Sequence, residues 1–250
     1  ASDRAWRNQP DRAVDDNFGI NVAVDGDYAV VGAYLEEEFV TNPIPFQHGS
    51  AFLFKKNSSG QWVFLKKLKA ADLAANDNFG YSVAINGNTI VIGAWNENDV
   101  VLGPGEFGAG AVYVFSKDQG GPDNWGQVKK IVASDRTAGD QFGTSVSISG
   151  SYIVVGAPKE AEDASGGATA EEAGSAYVFY KDQGGTDNWG QVKKIVAADR
   201  SSGDLFGRIV SISGANIVVG AWGQDMDAAG ANSLQQAGAA FVFSKDAGGT

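Results

Sequence analysis

The sequence predicts an all-β fold, a propeller of four tandem four-stranded antiparallel blades whose last blade lacks its outer strand. Three observations predict it. Asp-x-Phe-Gly recurs four times, at 16–19, 77–80, 140–143 and 204–207, so that Phe18, Phe79, Phe142 and Phe206 are almost evenly spaced. Gly-Ala follows each copy, at 32–33, 93–94, 156–157 and 220–221. No segment carries a helical period, and 34 glycines against 6 prolines imply many tight turns. One such unit cannot bury both faces of its sheet, so neighbouring units must stack.

The units divide approximately as 1–69, 70–132, 133–196 and 197–250, within a single domain spanning 1–250. Strand one follows Phe-Gly, as in YSVAI (81–85) and TSVSI (144–148). The pairs Asp25-Gly26, Asn86-Gly87, Ser149-Gly150 and Ser213-Gly214 then predict a two-residue turn, read as type I′. Strand two is YAVVGA (28–33), TIVIGA (89–94), YIVVGA (152–157) and NIVVGA (216–221). Its nearly continuous apolar run predicts burial on both faces. The Gly-Ala at its end would let adjacent blades approach closely, and the four phenylalanines are expected in the core between blades. Strand three is GSAFLF (49–54), GAVYVF (110–115), GSAYVF (174–179) and GAAFVF (238–243). Strand four lies in 62–72, 125–135 and 189–199 and carries Lys66-Lys67, Lys129-Lys130 and Lys193-Lys194, read as charges that protect an outer edge. Segments 117–136 and 181–200 are nearly identical, so the units arose by internal duplication.

Phe142-Gly143 followed by Gly156-Ala157-Pro158 resembles the FG-GAP repeat, the blade of the integrin α-subunit propeller and of related bacterial and fungal propellers. The other units place Tyr34, Trp95 and Trp222 where that signature has proline. The resemblance spans essentially the whole chain. It implies a propeller, usually extracellular, serving adhesion or ligand binding. Two departures stand out: the calcium loop of integrin blades is replaced here by a two-residue turn, and the family usually has seven blades against four repeats here.

Composition removes several functions. With 30 acids against 19 bases the net charge is -11, which opposes nucleic-acid binding and attraction to anionic lipid. No apolar run approaches the length of a membrane span, so no membrane insertion is expected. Absence of cysteine removes disulfides, thiolate zinc and a cysteine nucleophile, and the single histidine, His48, has no Gly-x-Ser-x-Gly serine to serve. The glycine strings GGPDNWG (120–126) and GGTDNWG (184–190) are repeat-encoded loops rather than phosphate cradles.

The loops between strands two and three are long and dissimilar, at 35–48, 96–109, 159–173 and 223–237, and hold 13 of the 30 acids. In a propeller they share one end with the loops from strand four to the next strand one, so that end is expected to be strongly negative. Glu97, Asp99, Glu160, Glu162, Asp163, Asp225 and Asp227 are the candidate ligand-binding acids. Their carboxylates suit a basic partner or weak Ca2+ binding, with no dedicated cofactor. A solvated acidic surface is the competing reading. Tyr34, Trp95 and Trp222 at the same end could stack on sugar rings, or pack between blades. Asp16, Asp77, Asp140 and Asp204 are expected to cap the turn into strand one. The first such loop carries an insertion, 5–15, with Trp6, Arg7 and Arg12.

These features predict a non-catalytic extracellular or cell-surface binding or adhesion scaffold for a protein or glycan ligand. A lectin, a structural subunit of a surface assembly and a polysaccharide-active enzyme are the alternatives. The start at ASDR (1–4), which matches 133–136, and the stop at KDAGGT (245–250), just before a fourth strand, suggest three arrangements. These are a longer propeller, a closed four-blade ring, or completion of the last blade by another chain.

Overall fold

The computed structural model describes residues 15–38, 46–98, 108–167, 169–225 and 237–244. They form seventeen strands: β1 (Val22–Asp25), β2 (Tyr28–Ala33), β3 (Glu37–Glu38), β4 (Phe46–Gln47), β5 (Ser50–Lys56), β6 (Trp62–Leu68), β7 (Phe79–Asn86), β8 (Thr89–Ala94), β9 (Ala111–Ser116), β10 (Gly126–Ile131), β11 (Ser145–Ser149), β12 (Tyr152–Ala157), β13 (Ser175–Tyr180), β14 (Gly190–Ile195), β15 (Phe206–Ser213), β16 (Asn216–Ala221) and β17 (Ala239–Ser244). Four antiparallel sheets result, β1-β2-β5-β6, β7-β8-β9-β10, β11-β12-β13-β14 and the three-stranded β15-β16-β17. These are blades 1 to 4. A two-stranded pair that the repeat pattern does not announce, β3-β4, lies in the first loop between strands two and three.

The hairpin turns sit one residue later than expected. Asp25 pairs with Tyr28 and Asn86 with Thr89, so the central residues are Gly26-Asp27 and Gly87-Asn88. Gly26, Gly87, Gly150 and Gly214 all have φ of 55–57°, while no residue after them has positive φ. Glycine at the first central position is the signature of type II′, not type I′.

The apolar core lies between blades. One buried cluster joins Val30, Leu53 and Leu68 of blade 1 to Phe79, Ile85 and Tyr113 of blade 2; equivalent clusters join blades 2 and 3 and blades 3 and 4. Each inter-blade seam is closed by glycine. A Cβ on Gly32, Gly93 or Gly156 would strike the carbonyl oxygen of Gly80, Gly143 or Gly207 in the next blade. A Cβ on Gly49, Gly110 or Gly174 would strike the carbonyl of Phe79, Phe142 or Phe206. The Phe-Gly turn of one blade is therefore seated in a glycine-lined socket of the blade before it, which is why both motifs recur together. Phe79, Phe142 and Phe206 are fully buried, each edge-on to two aromatic rings of its own strand three.

The lysine pairs lie on the outermost strand of each four-stranded blade, as expected, and five of the six lysines also make specific contacts. The second lysine turns inward: Lys67 pairs with Glu36, Lys130 with Glu97 at 2.7 Å and Lys194 with Glu160 at 2.9 Å. The first reaches the following blade, Lys66 to the Asn124 carbonyl and Lys129 to Asn188 Oδ1 at 2.8 Å. Strand four thus also fastens blades together.

Candidate functional site

Both loop families named from the sequence meet at one end of the blades. Backbone bonds join them across each seam: Phe79 N–H donates to His48 O, Phe142 to Ala109 O and Phe206 to Ala173 O, at 2.9–3.1 Å. Within blades, Asn96 N–H donates to Asp77 O, Lys159 to Asp140 O and Gly223 to Asp204 O. The loop end is therefore held by the blade stack itself, a rigid base for variable loops.

Three of the four repeated aspartates, Asp77, Asp140 and Asp204, are structural caps. Asp77 Oδ2 accepts from Ala74 N–H at 2.9 Å, Asp140 from the N–H and hydroxyl of Thr137, and Asp204 from Ser201 N–H at 2.6 Å. Burial, which penalises the charged form, pushes the Asp77 carboxyl up to about 7, with nearby Glu97 and Asp72 adding to the rise. Asp140 rises to about 6 and Asp204 also rises, for the same leading reason.

Glu97 and Glu160 are not presented to solvent. They stand three residues after Gly-Ala, like Glu36, and all three are 1–3% exposed. Glu97 is held by Lys130 and Arg136, and Glu160 by Lys194 and the Ser175 hydroxyl at 2.5 Å. Ser50 donates to Glu36 at 2.7 Å, and blade 4 substitutes Gln224, which donates to Asp204 at 3.3 Å. Each buried carboxylate thus lies against strand four's lysine, as buried charges require. Sequence reasoning missed this network. Its signal was the fixed spacing Ala33 to Glu36, Ala94 to Glu97, Ala157 to Glu160 and Ala221 to Gln224.

Asp135, Glu160 and Glu162 bring one carboxylate oxygen each within 4.8 Å of one another. The cation among them is the chain's own: Lys194 Nζ stands 2.7 Å from Asp135 and 2.9 Å from Glu160. Asp163 organises its own loop, accepting from Ser165 N–H and hydroxyl and from Gly167 N–H at 2.6–3.0 Å. Glu162, Asp163 and Asp225 are half-buried, Glu171 is exposed, and Glu172 pairs with Lys159 at 2.8 Å. Asp99, Asp227 and the insertion 5–15, apart from its last residue, lie outside the described residues.

The three aromatic candidates differ in setting. Tyr34 meets Tyr81 of blade 2 edge-on at 5.3 Å, and Tyr81 meets Trp95 at 6.0 Å, so these two rings pack along the first seam. Trp222 is 65% exposed, with the Arg208 guanidinium 6.0 Å over its ring. Trp125 and Trp189, by contrast, are buried in the inter-blade clusters.

Four stacked antiparallel blades joined through Phe-Gly and Gly-Ala define a β-propeller repeat protein. A family model described as the FG-GAP repeat matches residues 9–54, 62–115, 125–179 and 189–243, and the chain belongs to that family. Most of these matches begin at strand four of one blade and run to strand three of the next. No curated protein matches the chain. No helix among the described residues is long and apolar enough to cross a membrane.

Proposed function

We propose that the chain is a non-catalytic binding or adhesion scaffold, acting outside the cell or at its surface, with the loop end as its contact surface for a protein or glycan. The observation that carries this is the division of labour at that end. The repeat-encoded acids are internal fasteners, while the loops between them differ in every blade and are anchored by backbone bonds on both sides. Family membership supports it, since FG-GAP proteins are generally non-catalytic and typically extracellular or on the surface.

Among the described loop residues, Glu171 is exposed and Glu162, Asp163 and Asp225 are half-buried, and these four acids favour a basic protein surface as the ligand. The immobilised chain is tested against a series of Lys/Arg-rich peptides and a glycan panel. Salt-sensitive peptide binding that is lost on charge reversal at these four acids is expected. Binding of neither probe class, or peptide binding indifferent to the reversals, overturns this choice of surface. A lectin reading narrows to Trp222, the most exposed of the three aromatic candidates, and predicts glycan binding that Trp222→Ala abolishes.

A further inference from the structure

We propose that Asn57 is a glycosylation site, taking an oligosaccharide through its amide nitrogen; the inference rests on the reading of the chain as acting outside the cell. Asn57-Ser58-Ser59 is the only Asn-x-Ser/Thr in the sequence, and its middle residue is not the proline that would forbid transfer. The tripeptide falls in the hairpin between β5 and β6 of blade 1, where residues 57–61 are all exposed. Space around the loop is open: a Cβ on Gly60 would meet nothing within 4 Å.

The hairpin holds the asparagine by its oxygen and presents its nitrogen. Asn57 Oδ1 accepts from Ser59 N–H at 3.0 Å and from Gln61 N–H at 2.9 Å. The first of these bonds brings the residue that carries the required hydroxyl against the amide. Backbone bonds close the loop, Asn57 N–H donating to Gln61 O at 2.8 Å and Gly60 N–H to Asn57 O at 2.9 Å. The planar amide therefore directs Nδ2 away from the loop backbone. There it donates to the exposed Gln61 Oε1 at 3.4 Å, longer than an ordinary hydrogen bond and easily given up.

The same hairpin in blades 2 and 3 shows an asparagine put to a different use. Asn124 and Asn188 donate through Nδ2 to the carbonyls of Gln119 and Gln183 at 2.7 and 2.8 Å, and both receive a lysine of the preceding blade. A sugar on either would part a seam, and neither is followed by the hydroxyl residue. Among the described residues, the hydrogen bonds of 57–61 stay within their own hairpin, so a sugar on Asn57 breaks no contact between blades. Lys56 N–H donates to Asp27 O at 2.8 Å, which sets this hairpin beside the turn between strands one and two, at the end away from the proposed contact surface. A bulky, solubilising glycan there leaves that surface open. The donor class is an oligosaccharide carried on a lipid diphosphate. Nδ2 bonds to the anomeric carbon, the bond from that carbon to the diphosphate oxygen breaks, and the lipid diphosphate leaves with the electron pair. Nδ2 gives up one proton to the transferring enzyme.

Mass spectrometry of the tryptic peptide containing Asn57 tests this on the natural protein, with its source cells separated into exterior and interior fractions. The expected result is exterior protein whose peptide carries carbohydrate. An amidase specific for asparagine-linked glycans should remove it and leave aspartate at position 57. Exterior protein with a bare peptide overturns the glycosylation site and leaves the scaffold reading standing. Protein confined to the interior, with a bare peptide, overturns the exterior reading and this site with it. Variants secreted from a eukaryotic host give the second test. Asn57→Gln and Ser59→Ala are each expected to lose the carbohydrate and Ser59→Thr to keep it, all with unchanged circular dichroism because both positions are exposed. Carbohydrate that survives Asn57→Gln, or that resists the amidase, marks attachment to a serine hydroxyl and overturns the proposal.

Discussion

Blades 3 and 4 are built on one plan and differ in what lies beyond them. Strand two of blade 3, Tyr152–Ala157, is buried at every position after its first, whereas Asn216–Ala221 in blade 4 alternates between buried and open positions. Strand three changes from almost wholly buried in Ser175–Tyr180 to alternating in Ala239–Ser244. The same apolar letters are thus core in one place and surface in another. In a stacked repeat, burial belongs to the seam and not to the residue.

The sharpest way to break the comparison is through the buried charges. Glu97→Ala strips Lys130 and Arg136 of their buried partner and should lower stability by about 3–5 kcal/mol in urea titration. Gln224→Ala, its blade 4 counterpart, removes an amide that donates to Asp204 and leaves no buried cation unpaired, and should cost about 1–2 kcal/mol. Equal losses would mean the ionic latch adds nothing.

Glycine gives the next effect. Gly93→Ala drives a methyl into the Gly143 carbonyl and should cost about 3 kcal/mol, while Gly220→Ala, which meets no neighbouring blade, should change monomer stability by less than about 0.5 kcal/mol. Matched thermal unfolding of the two variants checks this.

Titration of the capping aspartates is smaller. The Asp77 carboxyl moves from 3.8 to about 7 on folding, so its protonated form favours the fold. That contribution is fully present below pH 3.8 and is lost as pH rises through about 7. Asp77→Asn keeps an oxygen for Ala74 N–H and removes the titration. It should gain about 1–3 kcal/mol over wild type between about pH 4 and about pH 8, solvent screening included. A constant difference between the two across that interval would contradict the shift. The smallest effect is expected at the open face: Val242→Ala should cost under about 0.5 kcal/mol where Val178→Ala costs about 1–2 kcal/mol.

The blades were legible because the two motifs recur in register, and a chain that repeats its strands must repeat its seams. The lysine pair was read only in part, because strand four's outer position suggested solvent alone. Its second lysine is drawn inward by a glutamate in the distant loop after strand two, a partner visible only when the loops are aligned on Gly-Ala. For the same reason Glu97 and Glu160 looked like surface acids: charge is apparent in a sequence, and its neutralisation by a distant strand is not. The hairpin offset by one residue has a local cause, since Asn-Gly and Ser-Gly do not state which side of the turn the glycine takes.

The nearly identical segments 117–136 and 181–200 hold the loop that grips backwards. Asp123 accepts from Tyr28 and Lys55 of blade 1 at 2.5 Å, Trp125 packs edge-on to Tyr28 at 5.1 Å, and Asn188 takes Lys129 of blade 2. A gene segment encoding one blade therefore carries the joint to its predecessor as well as the blade. Copying that segment lengthens the array and supplies the new fastening in one event, so growth at the downstream side needs no compensating change in what is already built.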